Sequence, residues 1–510
     1  MRTARLSATH RVAVHAMNTA RRAVRSLPAP ARARLRDVIE WSGRWRPPPM
    51  IEDWSAPLIG PRSRSEAPGN GLVKATAAAT GPDVVAPARS DGPNVPSDTV
   101  PPALRCLLVT CALDVGGLDE VVAFLARRLP AHGVRTAVLH ATSSPSADGE
   151  PRGRLGRMLQ SQGIEVHEAG ESDVADWIER WRPDVISGHH APAWALAAAR
   201  RPGVPYVDTF HGSHDLFTAD WQAEAARGAN LSAIVSVCDL VRRQYLAGNP
   251  HFPPDRIVVI PNGVDDERRS GGDRAAARDQ LGLTDEYLFV SLARYCLQKN
   301  SYGLLSAFAE VARNRPEAHL VIAGRPDDVR YYRQTLRLRD SLPCRGRIHL
   351  RDHVAAPAEL LAAADGFVLD AFFEGSQLVS MEALCMGVPV VLSEAGTARE
   401  QIGDDPRRGY LVANPLGDPL RVNWESMGAA RYQPQVNRDE FAAAMEHLIA
   451  NRGDYLRGRE QLAAESAIRF SADVCLARHA AVLLAAAAGA DLPSGDHADA
   501  GGYASKTGGR

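Results

Sequence analysis

The sequence has no closely spaced cysteines, no long apolar run and no charge imbalance, and each shortage closes off a class of protein. Its seven cysteines (Cys106, Cys111, Cys238, Cys296, Cys344, Cys385 and Cys475) are odd in number, scattered, and never spaced C-x-x-C. That argues against both a disulfide framework and a zinc site, and suits a reducing cytoplasm. The late apolar stretch AAVLLAAAA (480–488) falls far short of the ~20 residues that span a bilayer. The N-terminus carries arginines without an uninterrupted apolar core, so no signal peptide is expected. With 59 Lys and Arg against 60 Asp and Glu, a global basic footprint for nucleic acid is missing too. A cytoplasmic protein, soluble or peripheral at the inner face of the membrane, is the expectation.

What is present is length and an uneven layout. A chain of 510 residues exceeds one core and calls for two domains with extensions. Residues 1–46 hold eleven arginines and two acids. Ala13, Met17, Ala20, Val24 and Leu27 recur at helical spacing, with Arg11, Arg21, Arg22 and Arg25 opposite and Trp41 and Trp45 further on. Such a segment suits an anionic membrane interface, and equally suits a helix packed on the body of the protein. Residues 47–102, rich in Pro, Gly, Ser and Ala, read as a flexible linker.

From 104 onward, short apolar runs alternate with helix-length amphipathic stretches. LRCLLVT, VRTAVLH, PDVISG, VPYVDTF, SAIVSV and IVVIPNGVD form one series; YLFVSLAR, AHLVIAG, RIHLRDHV, GFVLDAFF and VPVVLSE form a second. Continuous apolar strands alternating with helices predict parallel sheets covered on both faces. Two α/β, doubly wound, Rossmann-like domains facing a cleft are expected at 103–262 and 263–465, then a helix over 466–488 packing back on the body and a disordered tail over 489–510.

In such sheets ligands bind beyond the carboxyl ends of the strands. After the first strand, Gly116 and Gly117 precede a helix N-terminus, where bare amides accept a phosphate; an ordinary tight turn also explains them. His189, His190, His211 and His214 follow two later strands. No carboxylate or cysteine pattern accompanies them, so a histidine contacting substrate is expected rather than a metal ligand. Arg294 and Lys299, just past the first strand of the second series, can hold a diphosphate and neutralise its charge as it departs. EGSQLVSMEA (374–383) sets Glu374 at a strand end and Glu382 in the first turn of the next helix, around a turn whose amides can face the cleft. Two carboxylates so placed suit a sugar at one end and a ribose at the other.

These residues, in this order, resemble the retaining glycosyltransferases of family 4, which have the two-domain GT-B fold. The resemblance runs over 104–465 and rests on the E-x7-E pair Glu374 and Glu382, the Arg294/Lys299 pair, DVGGLDEVV, IPNGVD and His211 in TFHG. It implies transfer of a sugar from a nucleotide-sugar donor to a carbohydrate or lipid-linked acceptor with retained configuration, in cell-surface polysaccharide or glycolipid synthesis. Glu374 would hold donor-sugar hydroxyls and Glu382 the ribose. Arg294, Lys299 and the amides of Gln377, Leu378 and Val379 would grip the diphosphate, and the backbone near Val354 would meet the base. His211 would lie close to the anomeric carbon, and Gly116 and Gly117 would admit phosphate and acceptor. The D-x-D triad is missing, in keeping with a family that usually needs no metal cofactor. Ser376, Gln377 and Asn300 depart from the family pattern, the last standing where glycine is common. A sugar-nucleotide epimerase on the same fold and a non-catalytic carbohydrate-binding member are the alternatives.

Overall fold

The computed structural model describes residues 51–59, 103–111, 113–114, 117–142, 153–200, 203–265, 272–354 and 357–493. By compactness the chain divides into Met1–Ile51 and Glu52–Arg510, and the architecture below belongs to the second unit. The basic segment 1–46, the linker beyond 59, Gly116 and the end of the tail lie outside the described residues.

The apolar runs become strands buried on both faces. β1 (Leu104–Thr110), β2 (Val134–Ala141), β3 (Glu165–Ala169), β4 (Val185–His189), β5 (Tyr206–Phe210), β6 (Ala233–Ser236) and β7 (Ile257–Val259) form one sheet. Its order is β3-β2-β1-β4-β5-β6-β7, with every pairing parallel. Alternate residues of β1 feed opposite layers: Cys106 and Leu108 enter one apolar cluster, Leu107 and Val109 the other.

A second parallel sheet holds β8 (Tyr287–Leu292), β9 (Ala318–Ala323), β10 (Ile348–Arg351), β11 (Gly366–Leu369), β12 (Val390–Ser393) and β13 (Gly409–Val412). Its order, β10-β9-β8-β11-β12-β13, repeats the first. Both are doubly wound, so each has a switch point, at β1/β4 and at β8/β11, where diverging loops leave a crevice.

Three features differ from the sequence reading. The strand expected through Phe373 ends at Leu369, so Glu374 stands on the following loop rather than at the strand end. The single late helix is two, Arg452–Arg469 and Ala472–Ala488, because the chain bends at Phe470–Ser471 to cross to the first domain. There Cys475, Leu476, Leu483 and Ala486 join the core of the first sheet, and Arg478 donates to the Val259 carbonyl at 2.8 Å.

The third concerns residues 52–59, which composition assigns to the linker. They run along the edge of the second sheet, where Glu52 bridges Arg351 in parallel and the Asp352 amide donates to the Glu52 carbonyl at 2.9 Å. Leu58 is buried, its amide donating to Leu281 O at 2.9 Å, and Trp54 and Ile59 pack on the same core. Few as they are, these apolar side chains outweigh the local flexibility, because the exposed edge of β10 offers them a surface and unpaired backbone groups. The Arg351 guanidinium, only 3% exposed, pairs with the Glu52 carboxylate and donates to the Pro57 carbonyl at 3.4 Å.

Candidate active site

The switch point of the second sheet brings together residues 75 positions apart in sequence. β8 and β11 are neighbours, so the loops leaving them meet, and Lys299 Nζ lies 2.6 Å from Glu374 Oε1. Both side chains are largely buried, at 16% and 7% exposure, so the pair is a desolvated ammonium and carboxylate at the floor of the crevice. Arg294 does not join it. Its guanidinium pairs with Asp327, from the loop after β9, and donates to Gln298 Oε1 at 3.3 Å.

Asn300 follows Lys299 with φ +49°, a left-handed conformation that explains why glycine suits this place. Its side chain gives asparagine a further use: it donates to Asp370 Oδ2 at 2.9 Å, while Asn437 donates to Oδ1 at 2.7 Å. Burial pushes the Asp370 carboxyl up to about 7, against those two hydrogen bonds. This network anchors the Lys299 loop to the end of β11.

Gly375 to Gln377 lead into the helix Leu378–Cys385, whose N-terminus carries no side-chain cap. The amides of Leu378 and Val379 thus begin a helix whose dipole and bare N–H groups favour an anion. The Gln377 side chain turns away from the crevice, donating to Ala395 O at 2.8 Å and accepting from the Thr397 hydroxyl at 2.8 Å and amide at 3.1 Å. These bonds fasten the turn, as do those that the Gln377 carbonyl accepts from Ser380 Oγ at 3.0 Å and Gln401 Nε2 at 3.1 Å. Ser376 Oγ accepts from the Asn262 amide at 3.1 Å, tying the turn to the segment that joins the two domains. Glu382 is fully buried and sits in the second turn of its helix, not the first, because the helix begins only at Leu378.

The first sheet contributes imidazoles. A chain runs from Ser187 Oγ to His189 Nε2 at 3.0 Å, and from His189 Nδ1 to His211 Nε2 at 2.9 Å. Burial first, then the neighbouring His479, His190 and His214, lowers His211 to about 3, so its ring is neutral at physiological pH. Burial likewise holds His189 well below the usual range. The two rims touch here, since Gly212 and Gly375 form an antiparallel bridge. A Cβ on Gly375 would lie 1.7 Å from the His211 carbonyl oxygen, so only glycine permits the approach.

The remaining expected residues are more scattered. Gly117 begins the helix Gly117–Arg128, is exposed, and has open space where a Cβ would stand. Val354 lies after β10, buried in the core of the second sheet. Sequence reasoning missed Asp327 and Asp370, although both follow strands and the strand-end rule, applied to every acid, finds them. It also found no carboxylate beside the histidines, yet the fold brings Asp215 to His190 and His214.

Two parallel sheets of repeated order, touching where a histidine rim meets a lysine-glutamate floor, define the GT-B class of glycosyltransferase. Models of Glycosyltransferase Family 4 match residues 115–268, and of Glycosyl transferases group 1 match 273–420. The chain belongs to this family. A mannosyltransferase of Corynebacterium glutamicum, named GDP-mannose-dependent monoacylated alpha-(1-6)-phosphatidylinositol monomannoside mannosyltransferase, is 30% identical over 49% of this chain and 71% of its own. The D-inositol 3-phosphate glycosyltransferase of Frankia alni is 29% identical over 60% of this chain and 84% of its own. Among solved structures, Anabaena HepE in complex with UDP-glucose superposes with a TM-score of 0.59 at 17% identity, over 75% of this chain and 99% of that one. The protein is thus a glycosyltransferase that draws on a nucleotide-sugar donor.

Proposed function

We propose that the second domain holds the donor and the first presents the acceptor, with transfer retaining the anomeric configuration. The buried Lys299–Glu374 pair at the β8/β11 switch point carries this reading. A diphosphate entering there takes Lys299 as its counter-charge, with Arg294 and the Leu378 and Val379 amides completing the grip, and frees Glu374 to accept hydrogen bonds from donor hydroxyls. Glu382 takes the ribose, and the backbone at Val354 the base. His211 stands by the anomeric carbon, where a neutral ring does not repel the positive charge that grows as the diphosphate leaves. The departing phosphate oxygen takes the acceptor proton on the same face, so the protein supplies charge stabilisation rather than a strong base, and the transfer step needs no metal. Gly117, with open space where a Cβ would stand, leaves room for the acceptor.

The acceptor is a hydroxyl of a carbohydrate or lipid-linked glycan in cell-surface synthesis. The mannosyltransferase relative, whose name specifies a phosphatidylinositol mannoside, and the arginines of 1–46 support a hexosyl transfer at an anionic membrane surface on the cytoplasmic side. Nucleotide release across a panel of sugar nucleotides, with inositol, glycan and lipid-linked acceptors, tests the reading. One donor giving acceptor-dependent release is expected; epimerisation of a donor without release, or no release with any pair, would overturn it.

A further inference from the structure

Three side chains beside the histidine rim converge on one point. β4 and β5 are hydrogen-bonded neighbours, so His190, one residue past β4, faces the short 3-10 turn Ser213–Asp215 that follows β5. His214 Nε2 lies 3.3 Å and His190 Nε2 3.9 Å from the same oxygen, Asp215 Oδ1. One ligand atom from each of the three fits within 4.8 Å of the others. Nitrogens and oxygens bound to one zinc-sized ion, about 2.0–2.1 Å from it, stand a little over 3 Å apart, which small side-chain rotations reach from these distances.

The surroundings favour a ligand set over a plain hydrogen bond. Among the described residues Asp215 Oδ1 is buried and accepts no hydrogen bond, although two imidazole nitrogens face it. His190 is held at φ +54°, a conformation that costs energy in a residue with a Cβ and that concentrates at functional sites. Gly212 makes room for the second ligand: a Cβ there would press on His214 Nδ1 at 3.0 Å, so the ring packs by that edge and keeps Nε2 toward Asp215. The His214 ring also lies against Phe373 of the opposite domain, with centroids 5.7 Å apart, which fixes its plane.

We infer that His190, His214 and Asp215 bind a single divalent transition-metal ion of the zinc class at the mouth of the cleft. Two imidazoles and one carboxylate select zinc, cobalt or iron over magnesium and calcium, which prefer all-oxygen shells. Three protein ligands, two of them on half-exposed side chains, leave a coordination position open toward solvent and the acceptor side. The site is separate from the donor floor, where a lysine rather than a metal meets the diphosphate.

The test uses tag-free full-length protein, stripped with a chelator. Calorimetric titration with zinc, and visible absorption with cobalt, are expected to give one ion per chain. His190→Ala, His214→Ala and Asp215→Asn should each weaken binding by about tenfold or more, whereas loss of the exposed His251 should leave it unchanged. Zinc should also raise the melting temperature of the parent chain and not of Asp215→Asn, which separates lost binding from lost folding. Glu374→Gln should keep zinc while losing nucleotide release, so the two readings fail independently. No stoichiometric binding, or equal binding by all three variants, would overturn the site.

Discussion

The two domains share one strand order and put opposite chemistry on it. At the rim of the first sheet, His189 and His211 are neutral rings linked to Ser187. At the second, charge is paired with charge, Lys299 with Glu374 and Arg294 with Asp327. Topology supplies a crevice at each switch point, and under the function proposed above the charged side would take the diphosphate and the neutral side the sugar hydroxyls.

The largest expected effect comes from breaking the charged side. Glu374→Gln or Lys299→Ala should lower nucleotide release by at least about a hundredfold while circular dichroism stays unchanged. Next is Glu52→Ala, which strands the buried Arg351 guanidinium at the edge of the same sheet. A stability loss of about 1 kcal/mol in urea unfolding is expected, because Arg351 is buried but the Glu52 carboxylate is 73% exposed and water screens the pair. On the neutral side, His189→Ala removes the ring that orients His211. It should cut turnover by about tenfold with little change in donor KM, as for other residues that act by orienting a neighbour.

The smallest effect sharpens the contrast. The second sheet has its own histidine pair, His319 Nδ1 and His349 Nε2 at 3.1 Å, but near the amino ends of β9 and β10, away from the ligand rim. Burial, then the neighbouring His319, lowers His349 to about 3, and burial lowers His319 as well. Between that value and the unfolded 6.5 the unfolded chain binds more protons, so this contribution is complete above pH 6.5 and is lost as pH falls toward 3. His349→Gln should flatten that part of the stability profile and leave activity at neutral pH alone.

The strands were legible because short apolar runs such as GFVL (366–369) and VVL (390–392), alternating with helix-length stretches, suit a sheet covered on both faces. Their order was legible in kind, but the meeting of Lys299 with Glu374 follows from β8 lying beside β11, which no local pattern encodes. Glu374 and Glu382 were found by their spacing, yet their surroundings were not: one lies past its strand, the other is buried a turn deeper. Gln377, read for its backbone amide, also has a side chain that holds the turn from behind, a contact the local pattern does not show. Asp215 escaped notice because it completes a cluster whose other members lie 25 positions apart or immediately beside it.

The strand-like stretch at 52–59 makes the second domain discontinuous in the chain. Glu52 and Arg351 are 299 residues apart, and the whole first sheet is encoded between them. During synthesis that stretch leaves the ribosome before the rest of its domain, and the edge it joins is made only after the other domain has had time to fold. A fragment cut to the span that relatives share, from 115 to 420, therefore discards part of a domain it means to keep.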